Sequence, residues 1–379
     1  MNTSTQIRLH PENDFPGDRI KSPDYLPMRK RCGLLAEYWY VGAMSRDVKP
    51  NKPVSTIIME TRIVIWRASD GSLAALRDRC SHRNTMLSEG NINKHKNCIV
   101  CPYHGWEFDR DGDCRRVPSE NWEGKKSNGR SIESFPVIEQ DGLIWVWMGL
   151  NKSPDPAKQP FKLPHMNERK EGWEHFQIVN DFDNEVTNLV ENFMDVPHTV
   201  LVHAGWFRRR ANKLVKTTME RTEDSVLVTY HQEKDAIGFT ERFINPKKLP
   251  LYHTDNFYMP NNTRVDYIFG EEERGFVIVS TSTPISDLKT RVYTQISYKL
   301  GLLNLGARSW LPLYVQKIID QDLDITRNQS QSFREETPSF RSTPADTLHV
   351  FIESLREWEA TGRTGRPPRP LKKEVEFWI

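Results

Sequence analysis

Residues 80–104 read CSHRNTMLSEGNINKHKNCIVCPYH. This stretch contains three of the five cysteines and three of the eleven histidines in a chain of 379 residues. Thiolate and imidazole groups are common ligands of transition metals in proteins. We therefore expect the stretch to bind a metal and the surrounding domain to fold around that site.

The cysteines and histidines form two pairs, Cys80-x-His82 and Cys101-x-x-His104, with eighteen residues between them. Each pair fits a hairpin loop, so that two thiolates and two imidazoles can face each other across a small β domain. Two kinds of metal site fit this spacing. One is a [2Fe–2S] cluster with two cysteines on one iron and two histidines on the other. The other is a tetrahedral zinc site in which Cys98 takes the place of His82.

The composition argues against several classes of partner. The 53 basic and 51 acidic residues leave a formal net charge of +2, which favours neither nucleic acid nor an anionic membrane. The arginine run at 208–210 is interpreted as a solvated surface. The longest apolar run, at 142–150, is shorter than the roughly 18 residues that a membrane span needs. The clustered cysteines and the lack of a signal-peptide pattern predict a soluble, cytoplasmic protein.

The pattern along the chain predicts two domains. From residue 38 to 150, short β-rich runs alternate with Asp-Gly turns, which is typical of a small all-β domain. Beyond a Pro-rich segment, helices are predicted at 183–195 and 307–335, with several strands between them. We expect an α+β fold, in which the second domain has an antiparallel sheet with helices packed against it. The expected boundaries are 38–150 for the first domain and 151–379, together with residues 1–37 packing against it, for the second.

A resemblance to a known family is carried by the two metal-binding motifs. The motif at Cys101 continues as CPYHGWEFDRDGDC, and the motif at Cys80 reads CSHR. Together they resemble the Rieske [2Fe–2S] domain of the ring-hydroxylating oxygenases. The resemblance implies that Cys80 and Cys101 bind the buried iron, and that His82 and His104 bind the outer iron and stay partly exposed. It favours the iron–sulfur cluster over zinc and leaves Cys98, His95 and Cys114 as ordinary strand or surface residues.

A Rieske cluster only carries electrons, so the larger domain should contain the site that consumes them. The segment VENFMDVPHTVLVHAGW, at 190–206, contains Asp195-x-x-His198-x4-His203 and matches the family pattern that begins at Glu191. Two neutral imidazoles and one carboxylate form the facial triad of Fe(II) oxygenases. We therefore expect His198 and His203 to bind a mononuclear Fe(II).

The third ligand is expected on the long predicted helix. Asp320, Asp322 and Asp324 lie there, and neighbours in this set are separated by about 200° around the helix axis, so they cannot all face one metal. In the family, a glutamine follows the ligand acid by seven residues, which selects Asp322 with Gln329. The other interpretation is that all three acids form a solvated helix face.

The resemblance spans residues 36–360 and implies a helix-grip catalytic domain after the Rieske domain. It implies a terminal oxygenase that uses O2 at Fe(II) to hydroxylate, demethylate or oxidatively cyclise an aromatic or polycyclic substrate. The arrangement near the carboxyl end is similar to the group that includes pheophorbide a oxygenase, and the lack of membrane helices there favours a bacterial enzyme. The alternative is a Rieske electron-transfer or redox-sensing protein with a vestigial mononuclear site.

The sequence and the resemblance also predict the partners of the protein. No Gly-rich dinucleotide motif follows a predicted strand, and no second cysteine cluster is present, so electrons should come from a separate ferredoxin or NAD(P)H-dependent reductase. In the family, the acid at the position of Asp195 joins the two metal sites of neighbouring subunits. The resemblance therefore implies a homotrimer in which Asp195 connects His198 of one chain to His82 or His104 of the next. No nucleic acid and no membrane partner is expected.

Two further features concern the second domain. Glu185 stands where the family commonly has tryptophan, which leaves the packing of that helix open. A mostly neutral substrate is expected to contact aromatic and other large apolar side chains between about 204 and 300, and an arginine is a candidate anchor for a substrate carboxylate. The candidates are Trp206, Phe207, Phe257, Tyr258, Met259 and Tyr298 for the cavity, and Arg242 or Arg264 for the anchor. Aromatic residues in this number are equally typical of an ordinary core.

Overall fold

The computed structural model divides the chain into two compact units, of which one ends at Lys162 and the other runs from Leu163 to Ile379. Phe207, Arg242 and the arginine run lie outside the described residues. Among the helices that are described, none combines the length and the apolar character needed to cross a membrane. The described residues are 25–123, 129–206, 213–231, 245, 247–270 and 274–379.

The first unit consists mainly of short strands. Its elements are α1 (Met28–Arg31), β1 (Trp39–Met44), β2 (Val54–Ile58), β3 (Thr61–Arg67), β4 (Leu73–Arg77), β5 (Asn91–Asn93), β6 (Cys98–Val100), β7 (Glu107–Phe108), β8 (Cys114–Val117), β9 (Trp122–Glu123), β10 (Val137–Gln140) and β11 (Leu143–Trp147). The strands pair antiparallel in sheets ordered β1-β11-β10, β2-β3-β4 and β5-β6-β7-β8-β9. Buried aliphatic side chains such as Ile65 and Val146 form a core within this unit.

The segment Tyr25–Glu37 belongs to this first unit, whereas residues 1–37 are expected from the sequence to pack against the second domain; residues 1–24 lie outside the described residues. Arg29 explains the difference. Its buried guanidinium donates hydrogen bonds to the carbonyl oxygens of Met148 (2.6 Å) and Gly149 (2.8 Å) and to the carboxylate of Glu133 (2.6 Å). A buried guanidinium requires such partners. These partners lie 104 to 120 residues further along the chain, where a local pattern does not reveal them.

The segment after β11 also belongs to the first unit, up to Lys162. The indole N–H of Trp39 donates a hydrogen bond to the carbonyl of Lys158 (2.9 Å), and the side-chain amide of Gln140 donates one to the carbonyl of Phe161 (3.2 Å). These bonds tie the Pro-rich segment to β1 and β10. The first unit is therefore larger at both ends than the expected range 38–150.

The second unit contains a large antiparallel sheet with helices. Its elements are β12 (Glu174–Phe182), α2 (Val186–Asn192), α3 (Val196–Thr199), β13 (Leu214–Arg221), β14 (Ser225–His231), β15 (Leu251–Tyr258), β16 (Asn262–Phe269), β17 (Arg274–Ser286), β18 (Lys289–Lys299), α4 (Asn304–Glu335), α5 (Thr347–Ala360) and β19 (Leu371–Trp378). The strand order is β12-β18-β17-β16-β15-β14-β13-β19. This architecture confirms the expected α+β class.

The single helix predicted at 183–195 is wrong, because the structure has two short helices, α2 and α3, in this region. Asp195 is the N-cap of α3, with extended backbone angles, and its carboxylate accepts a hydrogen bond from the N–H of His198 (3.1 Å). Pro197 follows in the first turn. A non-helical cap residue followed by a proline ends one helix and starts another, so the apolar periodicity that continues through this region is misleading.

Glu185 caps α2 at the position where the family commonly has tryptophan. Its carboxylate accepts hydrogen bonds from the N–H groups of Thr187 (2.6 Å) and Asn188 (3.3 Å). Burial raises the pKa of Glu185, and the guanidinium of Arg356 and the capped N–H groups offset this only in part. The helix is therefore held at its start by a partly buried, hydrogen-bonded carboxyl group in place of an indole.

His349 of α5 connects this helix to α2. Its Nδ1 lies 2.7 Å from a carboxylate oxygen of Glu191, and its Nε2 lies 3.7 Å from one of Glu353. Burial lowers the pKa of His349, but the carboxylates of Glu191, Glu353 and Asp346 outweigh burial, so the pKa is raised above its usual value. Protonated His349 therefore stabilises the packing of these two helices.

Replacing His349 by glutamine should change how stability depends on pH. A histidine with a higher pKa in the folded state stabilises the fold fully below its unfolded pKa of about 6.5, and this contribution is lost as the pH rises through the folded pKa. The Tm difference between wild type and His349→Gln should therefore shrink as the pH is raised above about 6.5. Glu191→Gln should reduce the same pH dependence, and a Tm difference that is constant with pH would contradict the expectation.

Candidate metal centres

Two loops of the first unit have the same main-chain construction. In each loop, the cysteine carbonyl accepts a hydrogen bond from the N–H four residues later: Asn84 donates to Cys80 (2.9 Å) and Gly105 donates to Cys101 (3.0 Å). Each cysteine N–H donates to the carbonyl five residues later, at 2.9 and 2.8 Å. Asn84 and Gly105 have φ angles of 64° and 72°, a conformation that asparagine and glycine adopt at low cost. The two sequence motifs thus fold into matching turns.

These turns place Cys80 beside Cys101, and His82 beside His104. Both thiols are buried and His104 is exposed, while the two imidazole centroids lie 4.5 Å apart. Burial and the neighbouring Cys101 raise the pKa of the Cys80 thiol to about 11. Nδ1 of His82 is buried and has no hydrogen-bond partner within the described residues.

This arrangement fits a centre with thiolates on its buried side and imidazoles on its exposed side. Two adjacent buried thiolates are unfavourable unless a cation compensates their charge, and a metal ion removes the thiol protons by doing so. A buried imidazole nitrogen without a partner is likewise a suitable donor to a metal. Of the remaining cysteines, Cys98 lies in β6, where its Sγ lies 3.4 Å from the carbonyl of Lys96, Cys114 lies in β8, and Cys32 follows α1.

The second centre lies where α3 and α4 meet. His198 belongs to α3, His203 follows it, and Asp322 lies in α4. Oδ1 of Asp322 lies 3.6 Å from Nε2 of His198 and 3.3 Å from Nε2 of His203, and candidate ligand atoms of the three residues all lie within 4.8 Å of one another. Oδ1 is buried and accepts no hydrogen bond in the described part of the chain. The geometry fits a cation held by two imidazoles and one carboxylate.

The outer nitrogen of each imidazole has its own partner. Nδ1 of His198 lies 3.1 Å from Oδ2 of Asp195, and Nδ1 of His203 lies 3.0 Å from Oε1 of Gln321. When Nδ1 carries the proton, it donates to these oxygens and leaves Nε2 as the free donor to a metal. Gln321 was missed in the sequence, because a residue adjacent to Asp322 on a helix projects about 100° away and no spacing rule selects it.

The other two acids of the long helix lie away from this centre. Asp320 accepts a hydrogen bond from Gln316 (3.0 Å), and the side chain of Asp324 is 80% exposed and lies 3.6 Å from Arg327. Asp322, in contrast, is buried. The solvated-face interpretation therefore suits Asp324, while Asp322 is the acid that the helix brings to the histidines.

Asn184 fixes the rotation of α4. Its amide donates hydrogen bonds to the carbonyl of Thr326 (2.8 Å) and to Oε1 of Gln329 (2.8 Å). The hydroxyl of Thr326 donates to the carbonyl of Asp322 (2.6 Å). Gln329 lies two helical turns after Asp322 and so on the same side of the helix. The seven-residue spacing therefore has a physical reason: the glutamine holds the segment that carries Asp322.

A cavity of about 170 Å³ adjoins the second centre and includes His198, His203 and Asp322 in its wall. Its lining is mostly apolar. Apolar and aromatic groups come from the sheet and from α4; among them are Phe182, Val265, Tyr267, Phe276, Ile278, Ile296, Trp310, Leu311, Tyr314, Val315, Ile318 and Ile319.

The prediction of the cavity lining is wrong for five of its six residues, and the sixth, Phe207, lies outside the described residues. The lining among the described residues does not include Trp206, Phe257, Tyr258, Met259 or Tyr298. Phe257 and Tyr298 instead belong to two hydrophobic cores of the second unit. Strand periodicity identifies alternate residues as sharing a face, but it does not tell which part of that face stays uncovered.

Arg264 does not line the cavity either. Its guanidinium donates to the carboxylate of Asp266 (2.8 Å), two residues further along β16. The described lining contains no lysine or arginine. The structure therefore gives no support to Arg264 as an anchor for a substrate carboxylate.

The fold and the geometry of the two centres fit an iron–sulfur domain followed by a domain with a single-metal site. Two family models match the chain: the Rieske [2Fe-2S] domain over residues 38–136, and the vanillate O-demethylase oxygenase C-terminal domain over residues 182–351. The protein belongs to the Rieske non-haem iron oxygenases. Proteins of this family use a [2Fe–2S] cluster in the first domain and a mononuclear non-haem iron in the second.

Individual relatives agree with this family. The chain is 36% identical over 195 residues to the oxygenase component of dicamba O-demethylase from Stenotrophomonas maltophilia, covering 50% of this chain and 52% of that protein. It is 26% identical over 389 positions to chloroplastic pheophorbide a oxygenase from Oryza sativa subsp. japonica, covering 93% and 70%. The chain spans 30 to 57% of the lengths of four other chloroplast relatives, less than two thirds.

Solved structures share the fold. Dicamba monooxygenase bound to 3,6-dichlorosalicylic acid superposes with a TM-score of 0.73 at 21% identity, covering 88% of this chain and 100% of that one. NdmA of Pseudomonas putida CBB5, a QL mutant with caffeine, gives a TM-score of 0.71 at 18% identity, with coverage of 90% and 97%. At these identities the likeness concerns the fold alone.

Proposed function

We propose that the protein is the terminal oxygenase of a multicomponent Rieske system. It takes electrons from a separate ferredoxin or NAD(P)H-dependent reductase and uses O2 to hydroxylate, demethylate or oxidatively cyclise an aromatic or polycyclic substrate. The observation that carries this proposal is the cluster of His198, His203 and Asp322 in the wall of an apolar cavity. The relatives named dicamba O-demethylase and pheophorbide a oxygenase support the substrate class. The cytoplasmic location stays a prediction from the sequence.

Cys80, Cys101, His82 and His104 are the proposed ligands of the [2Fe–2S] cluster. The matching turns, the adjacent buried thiols and the unpartnered Nδ1 of His82 support this assignment. Histidine ligation raises the reduction potential of such a cluster into the range of about −150 to +300 mV, which suits uptake of electrons from a low-potential ferredoxin. The exposed ring of His104 is the side from which a donor can approach.

His198, His203 and Asp322 are the proposed ligands of a mononuclear Fe(II), which supplies the chemistry that activates O2 when it is bound. Asp195 and Gln321 orient the two imidazoles by accepting hydrogen bonds from Nδ1, so that both Nε2 atoms face Asp322. The apolar wall holds the body of the substrate beside these atoms and limits the access of water.

The alternative, an electron-transfer or redox-sensing protein with a vestigial mononuclear site, is less consistent with this geometry. A vestigial site has no need for the orienting contacts of Asp195 and Gln321. A buried carboxylate oxygen without a hydrogen bond, as in Asp322, is also unfavourable unless a cation binds it. Binding of a metal cation to His198, His203 and Asp322 would compensate the buried charge of Asp322.

The proposed assembly is a head-to-tail homotrimer in which Asp195 joins His198 of one chain to His82 or His104 of the next. Oδ2 of Asp195 is used by His198, whereas Oδ1 has no hydrogen-bond partner among the described residues and 31% of the side chain is exposed. A carboxylate oxygen in this position can accept a hydrogen bond from an exposed imidazole of a second copy. Such an interface is heterologous and closes into a ring by rotation.

The cluster assignment predicts different results for two cysteines that are three residues apart. Cys101→Ala should abolish the visible and EPR signature of the Rieske cluster, because each cysteine ligand is needed to hold the buried iron. His104→Ala should do the same for the outer iron. Cys98→Ala is the matched control and should leave both spectra unchanged. Loss of the spectra in the Cys98 variant would favour the other ligand set.

The iron assignment predicts that Asp322→Ala loses about one iron atom per chain, while acid-labile sulfide and the visible spectrum stay unchanged. The variant should also lose O2 uptake in a substrate screen coupled to a generic reductase. Asp320→Ala lies on the same helix and should retain iron and O2 uptake. If wild-type protein with full iron shows no substrate-dependent O2 uptake and product formation across aromatic and polycyclic compounds, the proposed oxygenase function is wrong.

Asp195→Asn tests the assembly. Asparagine is also a good N-cap, so α3, both metals and the trimer should persist. The loss of the carboxylate charge should slow the oxidation of the reduced cluster by about 10- to 100-fold after mixing with substrate and O2 in stopped flow. Wild-type oxidation rates in this variant, or a monomer that is fully active at high dilution, would contradict the bridge.

A further inference from the structure

A third carboxylate lines the cavity besides those of Asp195 and Asp322. Asp255 lies in the middle of β15, and its side chain is 2% exposed. No part of the proposed metal chemistry uses it. A buried carboxylate at an apolar wall is unfavourable unless its oxygens are hydrogen-bonded, so its presence there requires a physical reason.

The sheet face that forms the cavity floor consists of three cross-strand rows. Residues that pair directly on neighbouring strands lie on the same face of a sheet. One row is aromatic, one is aliphatic and begins at Asp255, and one carries hydroxyl groups. The members that line the cavity are Tyr267 and Phe276; Asp255, Val265, Ile278 and Ile296; and Thr263, Ser280 and Thr294, while His253, Phe257 and Tyr298 continue the rows outside the lining.

Neighbouring side chains hold the Asp255 carboxylate in place. The hydroxyl of Tyr230 donates a hydrogen bond to Oδ2 (2.8 Å), and Nε2 of His253 lies 3.1 Å from Oδ1. The imidazole of His253 stacks between the rings of Tyr230 and Tyr267, with centroids 3.9 and 4.2 Å away. All four side chains are buried. The carboxylate is therefore fixed in position and orientation.

Asp255 keeps acceptor capacity beyond these contacts. An ionised carboxylate has about four lone-pair positions, and the described structure gives each oxygen of Asp255 one partner. The carboxylate therefore has free lone pairs, and it lines the cavity. The described lining offers it no lysine or arginine as a counter-ion. An anion placed beside Asp255 would be repelled, whereas an N–H or O–H group would be bound.

We propose that Asp255 determines substrate specificity by accepting a hydrogen bond from an N–H or O–H group of an otherwise apolar aromatic or polycyclic substrate. Tyr230 and His253 act as positioning residues for this carboxylate. The inference rests on the proposed function only in taking this cavity as the substrate site. It excludes substrates that place a carboxylate at this end of the cavity.

The test is a binding measurement with the iron-loaded enzyme, without reductant and without O2, so that no turnover is needed. The probes are 2-naphthol, naphthalene and 2-naphthoate, measured by equilibrium dialysis. Wild type should bind 2-naphthol at least about tenfold more tightly than naphthalene, because a hydrogen bond to a charged acceptor contributes that much. It should bind 2-naphthoate more weakly than 2-naphthol.

Asp255→Asn keeps the size of the side chain but removes the charge and one acceptor oxygen. In this variant the preference for 2-naphthol over naphthalene should fall below about threefold, and 2-naphthoate should bind more tightly than it does to wild type. Asp266→Asn makes the same chemical change on β16; Asp266 pairs with Thr254 on the opposite face of the sheet, so wild-type ratios are expected.

The outcomes separate this inference from the proposed function. The inference is overturned if wild type binds 2-naphthol no more tightly than naphthalene, including if neither binds. It is also overturned if Asp255→Asn keeps the wild-type binding ratios. Unchanged ratios together with a lowered Tm would indicate that Asp255 has a purely structural role. Failure of the oxygenase function would appear instead as missing O2 uptake in fully loaded wild type, with these binding ratios unchanged.

Discussion

The oxygen Oδ1 of Asp322 is buried, has no hydrogen-bond donor in the described part of the chain, and lies 3.3 and 3.6 Å from two imidazole nitrogens. An ionised carboxylate in such surroundings requires a cation. The second unit is arranged to keep it there. Asn184 and Gln329 fix the rotation of α4, and Asp195 and Gln321 fix the two imidazoles.

The first unit meets a related constraint with main-chain geometry. The two buried thiols lie on turns of the same construction, because the turns at Cys80 and Cys101 have the same pair of main-chain hydrogen bonds. Asn84 and Gly105 close these turns with positive φ angles. Side-chain contacts orient the proposed metal ligands of the second unit, whereas main-chain hydrogen bonds shape the turns that carry the proposed ligands of the first.

Features encoded by local spacing could be predicted from the sequence, and features made by distant partners could not. The Cys-x-His pair at Cys80 and the histidines at His198 and His203 are short-range patterns, and the α+β class followed from the periodicity of the strands and helices. The contacts of Arg29 join residues about a hundred positions apart, and Gln321 reaches its histidine only once α4 has docked. The cavity lining was mispredicted because periodicity shows which residues share a face of a strand but not which other elements cover that face.

The row of hydroxyl groups from Thr263, Ser280 and Thr294 gives one side of the cavity floor a property that the Asp255 side lacks. A hydroxyl can donate or accept a hydrogen bond by rotating about a single bond, at little cost. A molecule whose first end is held at the carboxylate can therefore carry either a donor or an acceptor on its second end. The same floor thus combines strict selection at the carboxylate with chemical tolerance along the neighbouring row, which would let a set of differently decorated ring systems share one orientation beside the proposed metal site.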